Sequence, residues 1–215
     1  MDADSQHGLR LLVFDRTCRG RPLLPGLSHA WGAGRHLYRA LGRIDASFGA
    51  TSWLEALGWL ATLQPGARLA EVQYWGHGNW GNARIAADVL DERSLSPGHP
   101  HHDPLVAVGQ RLRPGDDGLW WFRTCETFGT EKGQRFAARL ADFLGCRVAG
   151  HTHVIGFLQS GLHSLLPGEA PDWPADEGVR PGAKPAARGR SSSVRAPGTI
   201  TCLHGRVPRR EEGSN

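Results

Sequence analysis

The sequence predicts an α/β domain built around a mostly parallel sheet. Apolar runs of strand length alternate along the chain with segments of helical periodicity, which is the order that β-α-β units produce. The opening run, GLRLLVFD, is typical of a strand that is covered on both faces. With 215 residues, 40% of them hydrophobic, the chain is long enough to bury one good-sized core.

Two helices are expected after this first strand. The strand ends at Asp15, and after a loop rich in Gly, Pro and Arg, Ser28 is positioned to cap a helix over HAWGAGRHLYRALG. The second helix covers TSWLEALGWLATL, where Thr51 or Ser52 supplies the cap and Glu55 stands at capping-box distance from Ser52. Its apolar residues repeat on one face, as a helix packed on a sheet requires.

The middle of the chain contains two further strands. The run AEVQYW leads into a turn at His77, and the run GLWWFRTC ends at Cys125. Between them, ARIAADVL is interpreted as a further strand or an irregular edge, whereas the turn residues of SPGHPHHDP predict a surface loop. These assignments place a histidine and a cysteine at the ends of two strands.

A helix and a strand complete the predicted domain, which covers residues 1–168. KGQRFAARLADFLG has its apolar residues on one helical face and Gly145 in the position that ends a helix. CRVAGHTHVIG follows as the fourth convincing strand. Residues 169–215 are rich in Pro, Gly, Ala, Ser and Arg and have no period, which predicts a flexible segment. Within it, residues 198–208 are expected to form a short strand that returns to the sheet edge.

The charge distribution gives no signature of specific nucleic-acid binding. The formal net charge is +4. Residues 175–215 account for all of it, because they hold eight Lys or Arg and four Asp or Glu. The rest of the chain holds 17 residues of each sign and is neutral. The sequence has neither a run of 18 apolar residues nor a secretory signal, so we expect no membrane association. The four cysteines lack C-x-x-C spacing and are expected to be thiols in the cytoplasm.

His77 and Cys125 form the candidate catalytic pair. In open α/β sheets, ligands bind in the crevice beyond the carboxyl ends of the strands, and each of these residues follows a strand and precedes a glycine-containing turn. A cysteine becomes an effective nucleophile when an imidazole within hydrogen-bonding reach takes its proton. The amides of Gly78 and Cys125 are the candidate donors to a developing oxyanion. Either side chain alone would more often be ordinary packing, so the prediction depends on the two together.

These features resemble the caspase-like (clan CD) cysteine peptidases. The resemblance consists of a strand followed by His-Gly and a later strand ending in Cys, and it covers roughly residues 9–156. The segments LLVFD, WGHGNWG and LWWFRTCETFGTEKGQRFAARLADFLGCRVAGHTH are most similar to the bacterial DUF4347-type domains of this superfamily. His77 precedes Cys125 by 48 residues, close to the caspase spacing of roughly 50 residues. Around the cysteine, RTCETFG stands in place of the caspase signature QAC-x-G.

The resemblance implies a caspase-haemoglobinase-like three-layer sandwich with a mostly parallel sheet. It also implies a cysteine endopeptidase that acts on a polypeptide substrate without a cofactor, with His77 as general base and Cys125 as nucleophile. Asp15, Asp103 and Glu126 are then candidates to receive a basic side chain of the substrate. The alternative is a catalytically inactive caspase-like module that binds a partner, because such folds include members without activity.

The segment GHTH, residues 150–153, supports a competing interpretation. Histidines two positions apart can face one metal ion, and this tetrapeptide resembles the last metal-binding motif of calcineurin-like metallophosphatases. The other motifs of that family are absent from the sequence, so we expect no metal here and rank a metal-dependent phosphoesterase below the peptidase. In the caspase-like interpretation, His151 and His153 line the crevice wall near the substrate pocket.

Overall fold

The computed structural model describes residues 8–21, 24–180 and 189–208. Strands and helices alternate through most of these ranges. The strands are β1 (Leu9–Asp15), β2 (Gly20–Arg21), β3 (Leu24–Pro25), β4 (Ala46–Ala50), β5 (Leu69–Trp75), β6 (His77–Asn79), β7 (Asn82–Ile85), β8 (Asp88–Asp91), β9 (Gly115–Arg123), β10 (Cys146–His151), β11 (Leu158–Gln159), β12 (Leu162–Leu165) and β13 (Ile200–Thr201). The α-helices are α1 (Leu27–Ala40), α2 (Trp53–Thr62), α3 (His102–Arg111) and α4 (Thr130–Leu144), and a 3₁₀ turn covers Glu92–Leu95.

The centre of the fold is a six-stranded sheet in the order β4-β1-β5-β9-β10-β12. The first five strands of this order are parallel, and β12 is antiparallel to β10 at the edge. The prediction of an α/β domain with a mostly parallel sheet is therefore confirmed. The sequence predicted four strands from their apolar runs, and these are the four central strands of the sheet: β1, β5, β9 and β10. Their apolar runs are long because both of their faces are covered.

Successive side chains along each strand point to opposite faces of the sheet, so the buried residues form clusters on both faces. Leu11 and Val13 pack in the main core with the apolar faces of α2, α3 and α4. Leu12 and Phe14 point to the opposite face, where they pack against Tyr38 of α1. The sheet thus lies between two layers, and α1 shares its layer with residues near the end of the chain.

The caps of two helices follow the sequence prediction. The side chain of Ser52 accepts a hydrogen bond from the amide of Glu55 at 3.1 Å, so Ser52 is the N-cap of α2. The Glu55 carboxylate returns to Thr51 rather than to Ser52, accepting from its amide at 2.6 Å. Later in the chain, Gly145 ends α4 with a φ of 66°, a left-handed conformation that favours glycine.

Near the start of the chain, one prediction is wrong and one strand was missed. Ser28 does not cap α1, because the helix already begins at Leu27 and the Ser28 hydroxyl donates to the carbonyl oxygen of Asp15 at 3.1 Å. The strand β4 was not predicted at all. Its sequence, ASFGA, has no apolar run, and it includes Gly49, where a Cβ atom would lie 2.7 Å from the ring of Phe14.

Two later segments also differ from the sequence prediction. The expected surface loop over residues 96–104 ends early, because α3 begins at His102 and the His101 side chain is buried against Asp88, with 3.0 Å between Nε2 and Oδ1. The short strand expected at residues 198–208 exists as β13, but it pairs with β11 in a separate two-stranded sheet rather than with the edge of the central sheet.

The segment at residues 198–208, which we call the C-terminal strap, lies against the sheet face that α1 covers. Val207 packs with Trp121 in a buried cluster. The hydroxyl of Tyr38 donates to the carbonyl oxygen of Cys202 at 2.7 Å. The guanidinium of Arg147 donates to the carbonyl oxygen of Pro208 at 3.2 Å. The strap is therefore held largely by side chains that donate to its main-chain carbonyls.

Candidate active site

The two strand ends that precede His77 and Cys125 are neighbours in the sheet. β5 and β9 run side by side, and the last pair in register is Trp75 opposite Arg123. The chain leaves both strands at the same edge, so the turn with His77 and the loop with Cys125 start next to each other. The sequence identified each strand end, and the strand order brings the two together.

His77 and Cys125 line one cavity of about 450 Å³. The walls of the cavity come from α1, the two strand ends, the loop after β10 and the C-terminal strap. His77 is exposed and Cys125 is half-buried, so both are accessible from solvent. The volume lies within the range of about 300–1,000 Å³ that is usual for ligand pockets.

Backbone hydrogen bonds fix the loop that carries Cys125. The amide of Glu126 donates to the carbonyl oxygen of His153 at 3.0 Å, and the amide of Phe128 donates to that of His151, also at 3.0 Å. Glu126 has a φ of 56°, a left-handed conformation that turns the chain sharply after the cysteine. The position of Cys125 is therefore set by the end of β10 as well as by its own strand.

The thiol of Cys125 has a carbonyl group as a neighbour. Its Sγ donates to the carbonyl oxygen of Ile155 at 3.8 Å. A thiolate has no proton to donate, so this contact belongs to the protonated thiol. If Cys125 acts as a nucleophile, its thiol proton moves to a base and the hydrogen bond to Ile155 is lost.

The turn with His77 is held between the cysteine loop and α1. The imidazole lies edge-on to the indole of Trp31, with 5.8 Å between ring centroids. On the other side, a Cβ atom at Gly78 would lie 2.2 Å from Oγ1 of Thr127, so only glycine fits there. Among the described residues, Gly76 and His77 line the cavity, whereas Gly78 lies against the loop.

The three carboxylates considered for a substrate pocket lie elsewhere. Asp15 is buried at the end of β1 and accepts a hydrogen bond from the amide of Thr17 at 2.7 Å. The carboxylate of Glu126 accepts from the amide of Gly189. Asp103 is exposed in the first turn of α3. None of the three is among the described residues that line the cavity, so they are not placed to receive a basic side chain there.

His151 and His153 are buried behind the cysteine loop. Nδ1 of His151 donates to the carbonyl oxygen of Ser160 at 3.2 Å. Burial, assisted by the positive charge of Arg123, lowers the pKa of His151 to about 3, so this ring is neutral near pH 7. Burial also lowers the pKa of His153, whose Nδ1 lies 2.9 Å from the hydroxyl of Thr152. Neither ring is among the described residues that line the cavity.

The phosphoesterase interpretation requires a set of metal ligands around these two histidines. Across residues 8–21, 24–180 and 189–208, no three His, Cys, Asp or Glu side chains are grouped so that they could hold a metal ion. The carboxylate of Glu177, an acidic neighbour in this region, instead accepts hydrogen bonds from His163 at 2.7 Å and from Thr152 at 2.8 Å. The geometry therefore gives no support to a metal-dependent mechanism through GHTH.

Arg123 is a cavity residue to which sequence reasoning assigned no role. Its guanidinium donates to Oε1 of Gln159 at 2.9 and 3.1 Å, to the hydroxyl of Tyr38, and to the carbonyl oxygen of Cys202 at 2.9 Å. It also lies 4.4 Å above the ring of Trp121. An arginine at the end of an apolar strand, two positions before the cysteine, was the signal available in the sequence.

Comparison with known proteins gives no relative: no protein-family model, no curated protein and no solved structure matches this chain. The fold and the cavity therefore define its class, an α/β protein with a mostly parallel sheet whose strand-end cavity holds a thiol and an imidazole. Every helix in the described part of the chain is too short or too polar to span a bilayer.

Proposed function

We propose that this chain is a cysteine endopeptidase in which Cys125 is the nucleophile and His77 is the general base. The observation that carries the proposal is that both residues line one solvent-accessible cavity beyond the ends of two adjacent parallel strands. The resemblance to caspase-like peptidases supports the same pair and gives the substrate class, a polypeptide.

The reaction begins with the transfer of the Cys125 proton to His77. The thiolate sulfur then attacks the carbonyl carbon of the scissile peptide bond, and the electron pair of the C=O bond moves to oxygen. The resulting oxyanion accepts a hydrogen bond from the amide of Cys125. Gly78, the other donor that the sequence suggested, lies against the cysteine loop and is not among the described residues that line the cavity. When the tetrahedral intermediate collapses, the C–N bond breaks and the imidazolium of His77 protonates the leaving amine.

Water completes the cycle. His77 takes a proton from a water molecule while the oxygen of that water attacks the thioester carbon. The C–S bond then breaks, the carboxylic acid leaves, and the proton on His77 returns to the sulfur of Cys125. Each proton that His77 accepts is returned within the same turnover, so no cofactor is needed. This chemistry requires that a substrate carbonyl reach Cys125 through the cavity mouth.

The reactivity of the thiol is the first test of the pair. Iodoacetamide labelling across pH 5 to 9, measured at each cysteine by peptide mass spectrometry, compares Cys125 with Cys202, which lines the same cavity and so meets the same reagent. We expect Cys125 to react well below pH 8, where an ordinary thiol of pKa about 8.5 is slow. The advantage over Cys202 should disappear in His77→Ala.

Turnover is the second test. A peptide-library digest should be cleaved by the natural chain and not by Cys125→Ala or His77→Ala, with both variants retaining the fold by circular dichroism. Cleavage by purified Cys125→Ala would overturn the proposal. A Cys125 that labels no faster than Cys202, together with absence of cleavage, would also overturn it and would leave the inactive, partner-binding module as the better interpretation.

A further inference from the structure

Helix α1 leaves much of its apolar surface uncovered. Among its described side chains only Tyr38 is buried, whereas α4, of similar length, buries six residues. The exposed residues Leu27 and Leu37 and the half-buried Trp31 all line the cavity. A helix of a soluble domain normally buries its apolar face, so this wall is available to an apolar group from outside the fold.

The other walls of the cavity are also apolar. The structure describes seven large hydrophobic side chains that are exposed, and four of them line this one cavity. These four residues, Leu27, Leu37, Phe157 and Leu203, have between 45% and 64% of their surface exposed. Scattered single hydrophobic residues are ordinary on a protein surface, but a group of this kind around a cavity marks a binding site.

The charges around the cavity argue against an ionic substrate side chain. No Asp or Glu is among the described residues that line it, so a basic side chain would meet no counter-charge. The one arginine, Arg123, already donates to Gln159, Tyr38 and the carbonyl oxygen of Cys202. An acidic side chain would therefore have to break contacts that hold the strap in place.

We propose that the cavity binds a large apolar side chain, of the size of leucine or phenylalanine, on the residue whose carbonyl carbon is attacked by Cys125. This inference rests on the proposed peptidase function and specifies its substrate class. A cavity of about 450 Å³ holds such a side chain together with part of the neighbouring main chain. Leu37, Phe157 and Leu203 are the residues that determine the specificity.

The test is a set of acetyl-Ala-Ala-X acyloxymethyl ketones in which X is Leu, Phe, Arg or Asp. The rate at which each probe labels Cys125 is measured by mass spectrometry, with Cys202 as the internal reference. We expect the Leu and Phe probes to label Cys125 roughly 10- to 100-fold faster than the Arg and Asp probes. The reason is that burying a leucine or phenylalanine side chain in an apolar site increases the affinity of the probe by a factor of this size.

A matched pair of variants assigns the preference to the cavity. Leu37→Lys places a cation in the wall and should slow labelling by the Leu and Phe probes about tenfold or more. Leu54→Lys is the control, because Leu54 is exposed to a similar extent on α2 and is not among the described lining residues. The control should label at the natural rate. Equal slowing by both variants would contradict the assignment.

A binding measurement separates failure of this inference from failure of the peptidase proposal. Acetyl-Ala-Ala-X amides are titrated calorimetrically into Cys125→Ala, which binds without reacting. If Cys125 is reactive but the Arg or Asp probe and amide are preferred, the inference is overturned and the peptidase remains. If no probe labels Cys125 but the Leu and Phe amides bind at least about tenfold tighter, the peptidase is overturned and the apolar site remains. Absence of any preference in both measurements overturns the inference.

Discussion

Gly78 lies directly against the loop of the candidate nucleophile: a Cβ atom at position 78 would come within 2.8 Å of the carbonyl oxygen of Cys125. The histidine turn and the cysteine loop are therefore packed backbone to backbone, and the separation between His77 and Cys125 depends on the absence of a side chain at this position. A shift of either backbone would change the distance between the imidazole and the thiol.

Gly78→Ala should displace the cysteine loop. The added methyl group overlaps Oγ1 of Thr127 and the carbonyl oxygen of Cys125, so we expect the free energy of unfolding in urea to fall by about 1–3 kcal/mol. The reactivity advantage of Cys125 over Cys202 should be lost as well. Gly58→Ala is the matched control, since nothing lies within 4 Å of its added methyl group inside α2 and a gain of about 0.5–1 kcal/mol is expected. A fully stable and reactive Gly78→Ala protein would show that the packing is not needed.

The sequence predicted the strand ends but not the cavity between them. β5 and β9 are apolar runs bounded by turn residues, so their periodicity is a local property that can be read directly. The cavity instead depends on contacts between distant segments, such as the hydrogen bond that joins Tyr38 and Cys202 across 164 positions of the chain. No local pattern shows that the C-terminal strap would be held by Arg123 rather than by a returning strand. β4 was missed for a related reason, since its pairing with β1 is set by the sheet and not by its own propensity.

Arg123→Met should loosen the C-terminal strap. Methionine fills a similar volume but cannot donate to Gln159, to Tyr38 or to the carbonyl oxygen of Cys202, so these buried groups lose a charged partner. We expect a loss of about 2–3 kcal/mol in the free energy of unfolding and faster amide hydrogen exchange in the strap. Arg139→Met removes an exposed ion pair with Glu92 and should cost less than about 1 kcal/mol. Equal costs for the two variants would mean that Arg123 does not anchor the strap.

Cys146 should be the least reactive of the four cysteines. Its side chain is fully buried at the start of β10, and burial raises the pKa of its thiol to about 12, so the thiolate is scarce at pH 8. Iodoacetamide at pH 8 should leave Cys146 unlabelled in native protein and label it completely in 8 M urea, as peptide mass spectrometry can show. Cys18, which is half-buried, serves as the reference thiol. Labelling of native Cys146 at the rate of Cys18 would contradict the burial that the structure assigns to it.

His151 should make the fold sensitive to acid. Its pKa is about 3 in the folded protein because of burial and the nearby charge of Arg123, and about 6.5 in an unfolded chain, so below pH 6.5 the unfolded state binds a proton that the folded state does not. Stability is therefore retained above pH 6.5 and is lost as the pH falls towards 3, with a contribution of up to about 1.4 kcal/mol per pH unit. His151→Asn removes this titration while its side-chain amide can still donate to the carbonyl oxygen of Ser160, so urea unfolding between pH 7 and 4 should depend less steeply on pH than in the natural chain. An unchanged slope in His151→Asn would show that this buried ring does not control the acid response.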